Sequence, residues 1–131
     1  MGRVHALTYR ATLGLLGGRL GRYPFLLLTT RGRRSGNLVS VPLLYIVDGG
    51  SWVIVGSSGG SPRHPAWYFN ITANQRCTVR VGRRKFEAMA ETVGPEDRGR
   101  LWTKAVELYA PYAEYQERAG RVIPLVRLSR V

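Results

Sequence analysis

The sequence predicts a mainly β protein of α+β type, with short antiparallel strands closing into a small barrel and a few peripheral helices. Three observations carry this. Six short apolar or alternating runs lie between breaks rich in glycine, proline or asparagine. Helical spacing is confined to a few stretches and does not alternate strand by strand with the β runs, as a βαβ layout would require. At 131 residues the chain is one domain by length, able to bury roughly two-thirds of its unfolded surface.

The elements follow in order. From Val4 to Leu20, apolar Leu7, Ala11, Leu15 and Leu16 alternate with Arg3, Arg10 and Arg19, which predicts an amphipathic helix weakened by Gly14, Gly17 and Gly18. Residues 1–22 are therefore read as a helical segment ahead of a domain spanning 23–131. Phe25 to Thr30 and Leu38 to Val47 read as two strands, with Pro42 marking an edge or a bulge. Asp48-Gly49-Gly50 turns the chain into a third strand, Trp52 to Ser57. Pro65 opens a short helix that Asn74 can end. Arg76 to Val81 and Lys85 to Thr92 alternate about Gly82-Arg83-Arg84 and form a basic hairpin. Gly94-Pro95-Glu96-Asp97 starts a helix with proline at its first position and acids in its first turn. Pro111 restarts a second helix carrying Tyr112 and Tyr115, Gly120 closes it, and Ile123 to Leu128 is a last strand.

Charge narrows the partner. The net charge is +12, and eighteen of the twenty basic residues are arginine. Residues 1–47 hold seven arginines and no acid, whereas six of the eight acids fall between Glu91 and Glu117. A concentrated basic surface predicts an acidic partner. Between the first two strands, Arg31, Arg33 and Arg34 crowd a turn bounded by Gly32 and Gly36, with Ser35 beside them. Cationic forks and free backbone N–H groups on a rigid platform suit phosphate or carboxylate.

Other chemistries find less support. Gly56-Ser57-Ser58-Gly59-Gly60 matches G-x-S-x-G, but His64 is the only downstream histidine and the chain is short for a hydrolase sheet. Two histidines and one cysteine offer no metal-ligand spacing. Lone Cys77 fits a reducing compartment, Arg10 and Arg19 break any secretory pattern, and cytoplasm is the expected location. The aromatics fall on predicted helices rather than interleaving with arginine on one sheet face, so no nucleic-acid partner is expected. What remains is a pocket. The arginine loop, the strand ends at Ser40–Leu44 and Ser57, and the helix start at Pro65 surround it, with Trp67, Tyr68 and Tyr112 as walls for a flat ring.

Several motifs together resemble a known family. Leu-Leu-Thr-Thr-Arg-Gly-Arg-Arg-Ser-Gly (27–36), Pro-Leu-Leu-Tyr (42–45), Gly-Ser-Ser-Gly-Gly (56–60), His-Pro-Ala-Trp-Tyr-Phe-Asn-Ile (64–71), Tyr-Ala-Pro-Tyr-Ala-Glu-Tyr-Gln (109–116) and Ile-Pro-Leu-Val (123–126) are similar, in order and spacing, to the deazaflavin-dependent nitroreductases of actinobacteria. The resemblance implies a split β-barrel of the FMN-binding kind over 23–131 and coenzyme F420, a deazaflavin with a polyanionic tail. Carried over by position, it places the cofactor phosphate on Arg33, Arg34 and Ser35. It places the ring along Ser40, Val41, Pro42, Leu43 and Leu44, beside Ser57 and Ser58, with Trp67, Tyr68 and Asn70 completing the cleft. Tyr112, Tyr115 and Ser57 fall at the reacting end, Tyr112 orienting the substrate or donating a proton. Val39 and Ser58 depart from the family, which usually has an arginine at the first position and often a lysine at the second.

The implied activity is hydride transfer from the reduced deazaflavin to an electron-poor small molecule: an enone, a quinone or a nitro compound. The alternative from another class is a non-enzymatic protein of the same fold that binds lipid or another ligand and associates peripherally with a membrane through its N-terminal helix. Barrels of this kind occur as monomers or homodimers.

Overall fold

The computed structural model describes the backbone of Arg19–Leu20 and all of residues 23–131. Among the described residues ten elements follow in order: β1 (Arg19–Leu20), β2 (Tyr23–Arg31), β3 (Leu38–Asp48), β4 (Ser51–Val55), α1 (Ala66–Ala73), β5 (Arg76–Val81), β6 (Arg84–Thr92), α2 (Pro95–Leu108), α3 (Pro111–Ala119) and β7 (Leu125–Arg130). A 3-10 turn, Ser58–Gly60, lies between β4 and α1. Of the amphipathic helix expected over residues 4–20, positions up to 18 lie outside the described residues. Arg19–Leu20, at its expected end, form β1 against Tyr23 and Pro24.

Strands β2 to β7 close into a six-stranded antiparallel barrel in the order β2-β3-β4-β7-β6-β5, sealed where β5 returns to β2. Alternation in the sequence decides which side chains face inward. In β6, Phe86, Ala88 and Ala90 are buried while Lys85, Glu87 and Met89 are exposed. Leu26 and Leu28 of β2, Ile54 of β4, Val79 of β5 and Val126 and Leu128 of β7 join them in the barrel interior. Trp67 and Ile71 of α1, four apart and on one face, pack into that same core. A second core lies outside the barrel, where Val53, Val55 and Leu125 meet Leu101 and Ala105 of α2 and Tyr112 and Ala119 of α3.

From Tyr23 onward the expected strands and helices are present, with shifted limits. The third strand ends at Val55 rather than Ser57, because the Gly56 N–H bonds the Pro124 carbonyl at 2.8 Å and the chain then turns. The last strand begins at Leu125, just past Pro124. Pro42 pairs in register with Leu27, but β4 covers only Tyr45–Asp48, so this half of β3 is an edge on its other side. Asp48, at the β3–β4 turn, accepts from Arg100 of α2 at 2.7 Å and from Arg127 of β7 at 2.8 Å, fastening α2 to the barrel. Among the described residues no helix is long and apolar enough to cross a membrane.

Candidate functional site

A cleft of about 490 Å³ opens between the barrel wall, the 57–59 turn and the start of α3. Its floor comes from Phe25 of β2 and Pro42, Leu43 and Leu44 of β3; Pro65 and Trp67 close one side, and Tyr23, Tyr109, Tyr112 and Tyr115 the other. Ser57, Ser58 and Gly59 form the remaining rim.

The tyrosines make one aromatic cluster. Tyr109 packs edge-on against Tyr112, with centroids 5.0 Å apart, and against Tyr23 at 5.5 Å. The Tyr109 and Tyr115 hydroxyls meet at 3.4 Å. Tyr112 is only 6% exposed, yet its hydroxyl has no hydrogen-bond partner among the described residues. A buried hydroxyl without a partner is unfavourable, and one that lines a cleft is satisfied by whatever occupies the cleft. Burial, aided by Tyr109 and Tyr115, pushes the Tyr112 phenol well above its ordinary value, so it remains a proton-bearing donor.

The 57–59 rim has a special backbone. Ser57 is right-handed (φ −77°, ψ −36°), whereas Ser58 has φ +47° and Gly59 φ +63°. Right-handed followed by left-handed residues turn successive N–H groups to one side, a backbone nest suited to a partial negative charge. The N–H groups of Ser57, Ser58 and Gly59 have no acceptor among the described residues. Gly60 needs its φ of +84° and its missing side chain, since a Cβ there would meet the Tyr115 Cα at 3.0 Å.

The arginine loop lies at the far ends of β2 and β3. Within it the Gly32 N–H donates to the Asn37 carbonyl at 2.7 Å, and the Asn37 N–H to Ser35 Oγ at 3.1 Å. The Arg33 guanidinium lies over the Phe69 ring, 4.6 Å from its centroid, which leaves its N–H edges available. Arg33 and Arg34 are exposed and form no ion pair with a carboxylate among the described residues. Buried Asn70 ties loop to barrel: its Oδ1 accepts the Arg33 N–H at 3.0 Å and its Nδ2 donates to Thr30 Oγ1 at 3.0 Å. Trp67 in the cleft and Asn70 under the loop are thus one helical turn apart on α1, about 4.5 Å along its axis.

The cleft therefore gathers Pro42, Leu43, Leu44, Ser57, Ser58, Trp67, Tyr112 and Tyr115 from the expected site. Arg33, Arg34 and Ser35 stand at the adjoining loop rather than in its wall. Ser40 spends its hydroxyl on Thr29 Oγ1 at 2.7 Å, and Val41 packs against the barrel core. Tyr68 points its hydroxyl to Thr92 Oγ1 at 3.1 Å and stacks on His64. Sequence reasoning passed over three participants. Tyr23 and Tyr109 were discoverable as aromatics adjoining the motifs. Arg121 was not, since a single arginine after Gly120 carries no pattern. Its guanidinium donates to the carbonyls of Gly56 (3.2 Å), Ser57 (3.0 Å) and Ser61 (3.0 Å), and to His64 Nδ1 (3.0 Å). His64 is held neutral by burial and by the Arg121 charge, its proton assigned to Nε2 by this contact.

An aromatic cleft, a rim of N–H groups without acceptors among the described residues, and exposed guanidinium forks on the loop tied to α1 fit a flat heterocycle with an anionic tail. Comparison with known proteins gives the same outline. A family model described as F420H(2)-dependent quinone reductase matches residues 1–129. An F420H(2)-dependent quinone reductase of Mycobacterium tuberculosis (strain H37Rv) is 41% identical over 132 residues, covering 98% of this chain and 89% of the relative. The structure titled F420-H2 dependent reductase (FDR-A) superposes with a TM-score of 0.74 at 40% identity, over 81% of this chain and 94% of its own. A second structure, titled a domain-swapped dimer, gives a TM-score of 0.75 at 36% identity over 95% and 98%.

Proposed function

This chain belongs to the F420H(2)-dependent quinone reductase family and is an F420-dependent reductase, and from that premise we propose how its cleft receives an acceptor. Arg33, Arg34 and Ser35 hold the phosphate end of the coenzyme. Pro42–Leu44, the 57–59 rim and Trp67 hold its ring. When bound, the cofactor supplies a hydride; the protein supplies orientation, dryness and a proton-bearing group.

The observation that carries the proposal is the buried hydroxyl of Tyr112, which has no partner among the described residues. It donates to an oxygen of the acceptor and strengthens that bond as the oxygen gains negative charge. The ring faces of Tyr23, Tyr109 and Tyr115 clamp a planar molecule and keep water out. The substrate class is accordingly a flat, electron-poor acceptor with an oxygen at its edge: a quinone, an enone or a nitroarene. Tyr115 supports Tyr109 by its hydroxyl contact, and Ser57 supports the ring through its backbone N–H.

Two measurements test this. Quenching of Trp67 fluorescence by the oxidised deazaflavin, compared with FMN, should show micromolar binding of the first and none of the second; binding to neither sinks the proposal. Tyr112→Phe should lower kcat roughly 10- to 100-fold with an unchanged cofactor Kd.

A further inference from the structure

Two walls of the cleft come from distant parts of the chain, the rim from 57–59 and Tyr112 and Tyr115 from α3. What joins them is a set of contacts from the segment that follows α3. Gln116 of α3 donates through Nε2 to the Arg121 carbonyl at 2.6 Å and accepts the Ile123 N–H through Oε1 at 2.9 Å. The amide thereby fixes the backbone of the turn that carries Arg121. From there the Arg121 guanidinium reaches back to three carbonyls of the 56–61 segment and to His64, the residue before Pro65. Arg118 adds a bond to the Gly59 carbonyl at 3.2 Å.

We propose that Arg121 is a positioning residue that draws the carbonyls of Gly56, Ser57 and Ser61 to the rear of the rim, so that the N–H groups of Ser57–Gly59 stay presented to the ring edge in register with Tyr112. The geometry favours this over a general packing role. A planar fork with five N–H donors serves four acceptors here at once, more than the three donors of a lysine ammonium can reach. Left to itself, Ser58 would leave φ +47°, a left-handed region unfavourable for a non-glycine residue. Arg121 and Gly60 hold the turn in that conformation, and α3 positions Arg121. Rim and tyrosines therefore move as one body, and the spacing between cofactor edge and acceptor is set by this arginine. The inference rests on the reading of the cleft as the deazaflavin site only for its effect on binding; the loop geometry stands independently.

The test uses the whole chain with Arg121→Lys and Arg121→Ala, each checked for cooperative unfolding. Hydrogen exchange at the Gly60 and Ser61 amides, which bond Ser57 and Ser58 carbonyls, is read without cofactor. Both variants should exchange there about tenfold or more faster, with barrel amides unchanged. Lysine cannot replace the fork, so Arg121→Lys keeps the charge and still loses the rim. In the loaded enzyme, kcat should fall by up to roughly 100-fold for misplacement on the order of 1 Å. Millimolar ethylguanidinium added to Arg121→Ala should restore part of both readouts. Unchanged exchange in Arg121→Lys, or exchange raised throughout the barrel with no guanidinium rescue, overturns the proposal. Failure of the wild type to bind deazaflavin would overturn the functional reading instead, while the exchange result still decides the role of Arg121.

Discussion

Replacing Tyr112 by phenylalanine deletes one oxygen and leaves the ring packing against Trp102 and Tyr109 in place. In most proteins the loss of a buried tyrosine hydroxyl weakens the fold, because a hydrogen bond goes with it. Here the hydroxyl has no protein partner among the described residues, and the residue is 6% exposed. An unsatisfied buried hydroxyl costs about 1–3 kcal/mol. The cleft admits water, which offsets part of that, so the lower end applies and the variant should gain about 1 kcal/mol. For a domain of this size that raises Tm by about 3–5 °C. Differential scanning calorimetry of the unliganded proteins is the assay, with turnover measured beside it. The expected pairing is a more stable protein that is a poorer reductase. A Tm lowered by several degrees would show that the hydroxyl is already bonded within the fold, and the assignment of Tyr112 to the acceptor would fall with it.

Other outcomes follow from the same geometry. Arg33→Ala with Arg34→Ala should weaken deazaflavin binding at least about tenfold and make the remaining affinity less sensitive to salt, read by fluorescence titration. Asn70→Ala leaves both the Arg33 N–H and Thr30 Oγ1 without a partner and should cost about 1–3 kcal/mol in urea unfolding, with cofactor affinity falling as the loop loosens. His64 has a folded pKa below its unfolded value, so the unfolded chain takes up the proton first. Stability from this site is complete above about pH 6.5 and is lost as pH falls from there through the folded pKa. His64→Gln should flatten that slope in Tm against pH; an unaltered slope would assign it elsewhere.

Much of the architecture was legible because it rests on local, periodic chemistry. Arg76–Val81 alternates and forms β5 at those residues, and Pro95 and Pro111 open their helices as their fixed φ allows. The sequence puts Pro65 at the first position of its helix, one residue from the cap position it occupies, where its carbonyl accepts the Tyr68 N–H at 3.0 Å. The cleft's aromatic and strand residues were readable for the same reason. What the sequence concealed are contacts without a period. Asn70 reads as a polar group beside the ring motif, yet both ends of its amide are taken up by Arg33 and Thr30. Ser40 alternates correctly for a site residue and gives its hydroxyl to Thr29 across the strand pair. Arg121 reads as one more positive charge in a chain of +12, and only the folded backbone shows it gathering carbonyls.

The seam that seals the barrel has a kinetic consequence. Three residue pairs, Leu27 with Arg80, Leu28 with Val79 and Thr29 with Thr78, join β2 to β5. Strands β2, β3 and β4 pair with near neighbours in the chain, as do β5 and β6, and such local hairpins form early. The seam and the β4–β7 pairing both join strands distant in the chain, so their loop-closure cost falls on a late step, after the hairpins have formed. Until that step, β2 and β5 each present an open row of N–H and C=O groups. A second nascent chain offers the same row at the same register, and at high concentration it competes with the chain's own strand. Dilution during refolding should therefore favour the closed single-chain barrel, and crowding should favour exchange of strands between copies.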